Sequence, residues 1–473
     1  MKSEAAGERR LCAAVFAAAL LLYLSFRSLF FNFDGVACAV AVELSDLKHL
    51  VHGNHLAYGA LGWLFDRAWR LVGYEGRAIL PLQVLDSILG AAGAAVFASL
   101  LRRAGRSDRE AALGAAALAV SQAWWFWSLE AQVYMLGALF AALAAREALA
   151  ENPRPAVAGL WLAGAALGHV GHLMALPALA WLLTRKGGRA ALPAFAAALA
   201  AVLLAAYAAA GLIAVRPRTP EEFRLWLLGS AALGVDRAFS WHFSTAAAVP
   251  AWSRTTLRIF CEFVGRSGPG RAAGLILALL PLAAAARGAA RGGREARFWL
   301  LWLAGYAALF LTWEPDTIVY RISDLLALWA LALLGLQGLT SRARAGLLGA
   351  WTAAAGAFNL SGVVLPAANP ASNAELVETK WVAAHAPAGA WIVAGGLGVV
   401  YLPYFAGLKT VNLRYFDDAA ALDARLDALT EAGAEVYATD RTLTRSGRLR
   451  DLESYGLKPA AAGEGFALYR VAR

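Results

Sequence analysis

The feature that most constrains this chain is a succession of apolar blocks, punctuated by short basic or long polar stretches. The blocks lie at 11–31, 78–101, 111–127, 131–150, 156–167, 173–183, 190–215, 272–286, 298–311, 322–339 and 345–365. Crossing the hydrocarbon of a bilayer takes about 20 apolar residues as helix. The pattern therefore predicts about eleven membrane-spanning helices, the short fifth and sixth being the least complete. The fold class expected is an all-α polytopic membrane bundle with a small C-terminal α/β domain outside the cytoplasm. Composition agrees, because 60% of the 473 residues are hydrophobic and only 16% charged, against about a quarter charged in a typical soluble domain. That balance excludes a disordered chain. The apolar run behind Lys2, Arg9 and Arg10 is longer than the roughly 7–15 residues of a secretory signal core, so it reads as a retained first span.

The 43 Lys and Arg outnumber the 33 Asp and Glu, leaving a net +10. In a soluble protein such an excess points to nucleic acid, but here its placement accounts for it and no nucleic-acid partner is expected. Arg102, Arg103, Arg106 and Arg109, then Arg146 and Arg154, then Arg185, Lys186 and Arg189, fall in alternate loops. Arg287, Arg291, Arg294, Arg297, Arg342 and Arg344 continue the series, whereas the loops around Glu130, His169 and Trp313 carry almost none. By the positive-inside rule the N-terminus is cytoplasmic and the C-terminal domain periplasmic or extracellular. High Ala, Arg and Gly suggest a bacterial background and hence the inner (plasma) membrane. Cys12, Cys38 and Cys261 are too few and scattered for a disulfide framework.

Three polar segments face outward in this topology. The loop 32–77 holds Asp34, Glu43, Asp46, His49, His52 and His55. The loop 216–271 opens on a capping box, Thr219 to Glu222 with Pro220 at the first helical position, and carries Trp226, Trp241 and Trp252, residues suited to the headgroup region. The chain divides at 1–370 and 371–473. In the tail we expect a helix at 374–384, strands near 391–394, 409–413, 435–439 and 465–471, and a helix burying Leu422, Leu426 and Leu429 with Gly433 as its stop. Gly395, Gly396 and Gly398 lack the full spacing and acidic partner of a dinucleotide loop.

Acids kept at or inside a membrane are costly and invite a functional reading. Asp34 lies just past the first span, where it is either a solvated helix-end residue or a reactive group. Its company favours reactivity: Glu43 and three histidines share its loop, and Glu130, His169, His172, Glu314 and Asp316 reach the same outer surface. Asp46, His49, His52 and His55 recur every three residues, a helical stripe with ligand chemistry for zinc or manganese. Gly53 and Asn54 interrupt that stripe, so substrate hydrogen bonding or a plain polar loop is preferred to a metal. His169 and His172 are either satisfied interior groups or substrate contacts. Asp86 and Asp324 are intramembrane acids, Asp86 reading as a structural hydrogen-bonding group. Arg321, like Arg237, Arg254, Arg258 and Arg266 in the second loop, is either a phosphate clamp or an interfacial arginine.

Taken together, the inside N-terminus, the acid after the first span and the outer tail resemble the GT-C superfamily of membrane glycosyltransferases. More narrowly the chain is similar to bacterial and eukaryotic membrane proteins related to protein O-mannosyltransferases. The residues carrying the likeness are Asp34-Gly35, then His52-Gly53-Asn54-His55-Leu56-Ala57-Tyr58, then Trp127 through Tyr134, and Gly168 through Leu173 with His172 in the histidine place. Gln132 stands where the family has glutamate, with Glu130 two residues earlier, and only Glu43 is available for the family's second first-loop acid.

The resemblance implies transfer of a sugar, mannose among the candidates, from a polyprenyl-phosphate carrier to a hydroxyl on a protein, lipid or glycan. A phosphodiester leaves readily, but the acceptor needs a base, which we assign to Asp34 by analogy with inverting glycosidases. Arg321 and the second-loop arginines would stabilise the departing phosphate. Glu43, His52, His55, Tyr58, Glu130, Gln132, Tyr134, His172 and Asp316 would complete the substrate-binding surface. The scheme requires no metal and no cofactor. A transporter or lipid flippase using Asp86 and Asp324 is the competing class, and a noncatalytic envelope subunit a third.

Overall fold

The computed structural model describes residues 2–228, 247–416, 418–446 and 456–472; Arg237 and Trp241 lie outside them. The chain forms two compact units, one of residues 1–28 and 41–366, the other of 29–40 and 367–473. The division falls inside the helix Phe33–Leu44.

The first unit is helical. Among the described residues six helices are long and apolar enough to cross a membrane: Ile79–Arg103, Ala191–Val215, Gly268–Arg291, Gly293–Trp313, Ile318–Leu336 and Ser341–Ala368. The expected eleven spans are thus not all realised as full-length apolar helices. The blocks between 111 and 183 fold instead as shorter pieces, Asp108–Val120, Gln122–Trp127, Tyr134–Leu149, Pro155–Gly168 and Leu176–Gly187. Local chemistry sets these breaks. Ser107 and Glu110 cap Asp108–Val120 reciprocally, and Pro155 starts Pro155–Gly168, where a missing amide costs nothing.

Burial orders the bundle. Along their most apolar windows Ile79–Arg103 and Ile318–Leu336 are 78% and 89% buried, whereas Ala191–Val215 is 17% buried. The first two are the core on which the others pack, and the third presents Leu204, Leu212 and Ile213 outward. Gly268–Arg291 and Ile322–Leu336 cross where Gly288 faces the Leu331 carbonyl and Gly335 the Ala284 carbonyl, so close that a Cβ at either would collide with backbone. Small residues permit such approach where apolar surface alone gives helices little reason to associate.

The second unit is a three-layer α/β module. Its strands are β1 (Trp391–Ala394), β2 (Lys409–Asn412), β3 (Val436–Thr439), β4 (Gly456–Gly463) and β5 (Phe466–Ala472), in the order β2-β1-β3-β5-β4. β2, β1 and β3 run parallel, while β5 and β4 pair antiparallel. Alternation along β1 sends Val393 to one face, with Leu422, Leu426 and Leu429 of the helix Ala419–Glu431. It sends Ile392 and Ala394 to the other, with Trp381 of Ala374–His385 and Leu402 of Gly398–Ala406. Gly433, at φ 76°, ends Ala419–Glu431 as its position predicts. The helices Gly398–Ala406, which starts on the last glycine of the Gly-rich stretch, and Asp440–Ser446 were not anticipated, nor was β4, an edge strand whose Pro459 and run of alanines hide its character.

Candidate active site

The acid–histidine stripe of the first loop does not form one helix. Asp46 caps the short helix Leu47–Leu50, accepting from the Lys48 amide at 3.1 Å, and His49 Nδ1 lies 2.8 Å from its carboxylate. Beyond Leu50 the chain turns at Gly53-Asn54. His52 and His55 pair across the turn as an antiparallel bridge, their rings stacked 4.2 Å apart. A Cβ at Gly53 would run into the Trp226 carbonyl, which is why glycine suits that position. The turn is held from three directions: the Val170 amide donates to Asn54 O (2.8 Å), Tyr207 Oη to Gly53 O (2.6 Å) and Trp226 Nε1 to Val51 O (3.1 Å). Trp226 is therefore packed inside the protein and not free for headgroups.

The same turn meets the second histidine pair. His169 lies against Tyr134 (4.8 Å between rings) and Tyr320 (6.0 Å). Its Nδ1 accepts from the Gly171 amide at 3.1 Å, which shapes the break after Pro155–Gly168. His172 Nδ1 lies 2.7 Å from the Tyr306 hydroxyl and 3.3 Å from that of Ser323. Together Tyr134, His169, His172, Tyr306, Tyr320 and Ser323, with the apolar Phe310, Val319 and Ile322, line one small recess. Burial disfavours the charged imidazole, holding His52 down to about 4; burial together with the nearby His52 holds His169 down to about 3. At neutral pH this row supplies uncharged donors and acceptors.

Beneath the turn, the fully buried Asp86 accepts the Tyr58 hydroxyl and the Gln132 amide (2.9 Å) on one oxygen. The Gln132 side chain bonds the next amide, Val133, at 3.0 Å. Two residues earlier, Glu130 accepts the Ser28 hydroxyl, and Gln83 Nε2 donates to Ser28 O at 2.9 Å. Thus His52, His55, Tyr134 and His172 gather around one turn and recess, while Tyr58, Glu130 and Gln132 are tied into the helices below it.

Other expected residues lie elsewhere. Glu43 caps the helix Ile79–Arg103 by accepting from the Ala78 amide (2.9 Å) and pairs with Arg77 at 2.9 Å. Asp316 is exposed in a turn before Tyr320. Arg321, 2% exposed, pairs with Asp324, donates to Thr256 Oγ1 at 2.9 Å and lies over the Trp252 ring. Its planar fork is committed inside the protein. Asp34 belongs to the second unit, exposed in the first turn of Phe33–Leu44, with Asn32 Oδ1 accepting the Gly35 amide at 2.8 Å. Among the described residues no three His, Cys, Asp or Glu side chains converge as a metal shell.

The residues that sequence reasoning passed over are mostly partners: Tyr306, Ser323, Thr256 and Tyr207. Tyr306 belongs to an aromatic column on one helix, Trp299, Trp302, Tyr306, Phe310 and Trp313, whose three- and four-residue spacing could have marked it. Arg271 was also missed. With Arg254 and Arg266 it lines a cleft of about 440 Å³ walled by Leu257, Phe263 and Leu275. Arg266 donates to Phe358 O at 3.0 Å, while Arg254 and Arg271 form no ion pair among the described residues.

No family model and no curated protein matches the sequence. Solved structures do. ArnT from Cupriavidus metallidurans, bound to undecaprenyl phosphate, matches with a TM-score of 0.63 at 12% identity over 97% of both chains. Its apo form gives 0.65 at 13% identity, over 99% of this chain and 98% of that one. The Archaeoglobus fulgidus oligosaccharyltransferase gives 0.56 at 12% identity, covering 93% of this chain and 70% of its own. These are GT-C structures. The chain has their fold. The GT-C likeness extends to the arabinofuranosyltransferase AftD from Mycobacteria, at a TM-score of 0.53 and 16% identity, where the chain spans 40% of that protein.

Proposed function

We propose that this chain is a membrane glycosyltransferase that takes a sugar from a polyprenyl-phosphate carrier and passes it to a hydroxyl acceptor outside the cytoplasm. The observation that carries the reading is end-to-end likeness, in both units, to a GT-C protein bound to undecaprenyl phosphate. The orientation follows the arginine placement, with the N-terminus cytoplasmic and the tail outside the inner membrane of a bacterium.

In the proposed reaction the acceptor oxygen attacks the anomeric carbon from the face opposite the phosphate. The carbon–oxygen bond to phosphate breaks, the configuration inverts, and the acceptor proton passes to the Asp34 carboxylate. Asp34 suits the part because it is exposed in the first turn of a helix. The lipid phosphate departs with the shared electron pair, and Arg254, Arg266 and Arg271 supply cations beside apolar walls fit for a prenyl chain. Arg321 passes to a structural part, since its guanidinium is already bonded to Asp324 and Thr256. The neutral histidine row and Tyr134 hydrogen-bond sugar or acceptor. Mannose is the first sugar to try, and protein, lipid and glycan hydroxyls are the acceptors.

The test is transfer or release of radiolabel from a panel of polyprenyl-phosphate sugars by the purified full chain, wild type against Asp34→Asn. Turnover lost in the variant with donor binding retained supports the whole scheme. Turnover unaffected by the substitution removes Asp34 as base but keeps the class. Folded protein inactive with every donor overturns the reading and favours transport.

A further inference from the structure

We propose that Asn373 and Tyr401 of the C-terminal module are positioning residues for Asp34; the inference rests on Asp34 being the base. Residues 29–32, which lead into the helix carrying Asp34, have no regular secondary structure. Their backbone groups still need partners, and the tail supplies them. Asn373 Nδ2 donates to Leu29 O (2.9 Å) and Phe30 O (2.8 Å), and the Leu29 amide donates to Ala367 O (2.7 Å). The Tyr401 hydroxyl lies between two carbonyls, sharing its one hydrogen between Phe30 O at 2.5 Å and Phe31 O, with Asn373 Nδ2 3.1 Å away.

What these bonds hold is an unfavourable backbone. Phe31 sits at φ 49°, left-handed for a residue that is not glycine, and such conformations persist only where surroundings over-determine them. Here the surroundings are Tyr401, Asn373 and the Phe405 ring, 5.1 Å from that of Phe31. The bend at Phe31 sets where Asn32 begins the helix, its side chain accepting from Gly35 and its carbonyl from Val36 (3.1 Å). Asp34 lies in that first turn. Its direction is therefore fixed by side chains some 340 residues downstream, and a base displaced by about 1 Å can lose roughly a hundredfold in rate.

The experiment uses the full chain in detergent with polyprenyl-phosphate mannose as probe, or whichever donor of the panel turns over. Tyr401→Phe removes one hydroxyl. Asn373→Asp keeps the Oδ1 that caps Ala374–His385 through the Leu376 amide but removes both donors. Each is expected to lower kcat by roughly ten- to a hundredfold with donor KM within about twofold of wild type, because the donor's own contacts are untouched. Amide exchange over 29–36 should quicken about tenfold, the loss of one buried bond, while β1 and β3 stay protected.

Unchanged kcat and exchange in both variants, with Asp34→Asn inactive, would overturn the positioning role and leave the base standing. Full turnover by Asp34→Asn would instead overturn the base, and with it any catalytic meaning of the clamp. Accelerated exchange throughout β1 and β3 would reduce Tyr401 and Asn373 to ordinary fold residues, contrary to the proposal.

Discussion

The Tyr58 hydroxyl donates to the Asp86 carboxylate inside the helical unit, joining the helix that follows the histidine turn to the helix Ile79–Arg103. The same oxygen takes the Gln132 amide, so one acid fixes both the turn and the segment after Glu130. Removing a partner from a buried polar group costs about 1–3 kcal/mol. Tyr58→Phe should lower stability by that amount in thermal unfolding of the detergent-solubilised protein, and Asp86→Asn should keep sugar transfer better than Asp86→Leu. An unfolding midpoint unmoved by Tyr58→Phe would remove the brace.

Arg321 and Asp324 form a second buried pair. Truncating the arginine strands a carboxylate, for which about 3–5 kcal/mol is the usual cost. Arg321→Ala should therefore be strongly destabilising, and Asp324→Leu in the same chain should restore most of the loss. The check is a double-mutant cycle on unfolding midpoints. Should Arg321→Ala keep its stability and lose affinity for lipid phosphate, the arginine is the phosphate clamp and not a structural element.

The buried histidines make stability depend on pH in a definite direction. In the unfolded chain these rings titrate at about 6.5, whereas the fold holds His52 down to about 4 and His169 to about 3. Above about pH 6.5 both states are neutral at these positions and stability is at its full value. Below it the unfolded chain takes up protons that the fold refuses, so stability falls with pH until about 4 for His52 and about 3 for His169. Replacing both by Gln should flatten the unfolding midpoint between pH 4 and 6.5. Parallel wild-type and variant curves would count against it.

If Arg254 and Arg271 meet the donor phosphate, Arg254→Gln and Arg271→Gln should each raise donor KM several-fold with unfolding unchanged. Salt should weaken donor binding less in the variants than in the wild type, since screened charge is what they remove. Unaltered KM in both would move the phosphate elsewhere.

Much of the second unit was legible because alternation and stop signals are local. Trp391 to Ala394 and the Leu422, Leu426, Leu429 face appear where their periodicity predicts them. Polar partners were less legible, since they join residues far apart in sequence. Nothing local to Arg321 shows that Thr256 and Trp252 will meet it. Gly53 and Asn54 mark the interruption of the stripe from Asp46 to His55, but not that the chain reverses there and brings His52 onto His55. The eleven apolar blocks were real in composition, but composition does not register a break such as the one at Ser121, which divides the block 111–127 into Asp108–Val120 and Gln122–Trp127.

The second unit is assembled from two stretches of chain, 29–40 and 367–473. Synthesis at roughly 5–20 residues per second puts tens of seconds between the emergence of Leu29 and that of Asn373, 344 residues later. Throughout that interval the segment leading to Asp34 lacks the donors that will order it. Ordering of the proposed base thus waits on the tail, and a ribosome that stalls before Asn373 releases a product with an unfinished site.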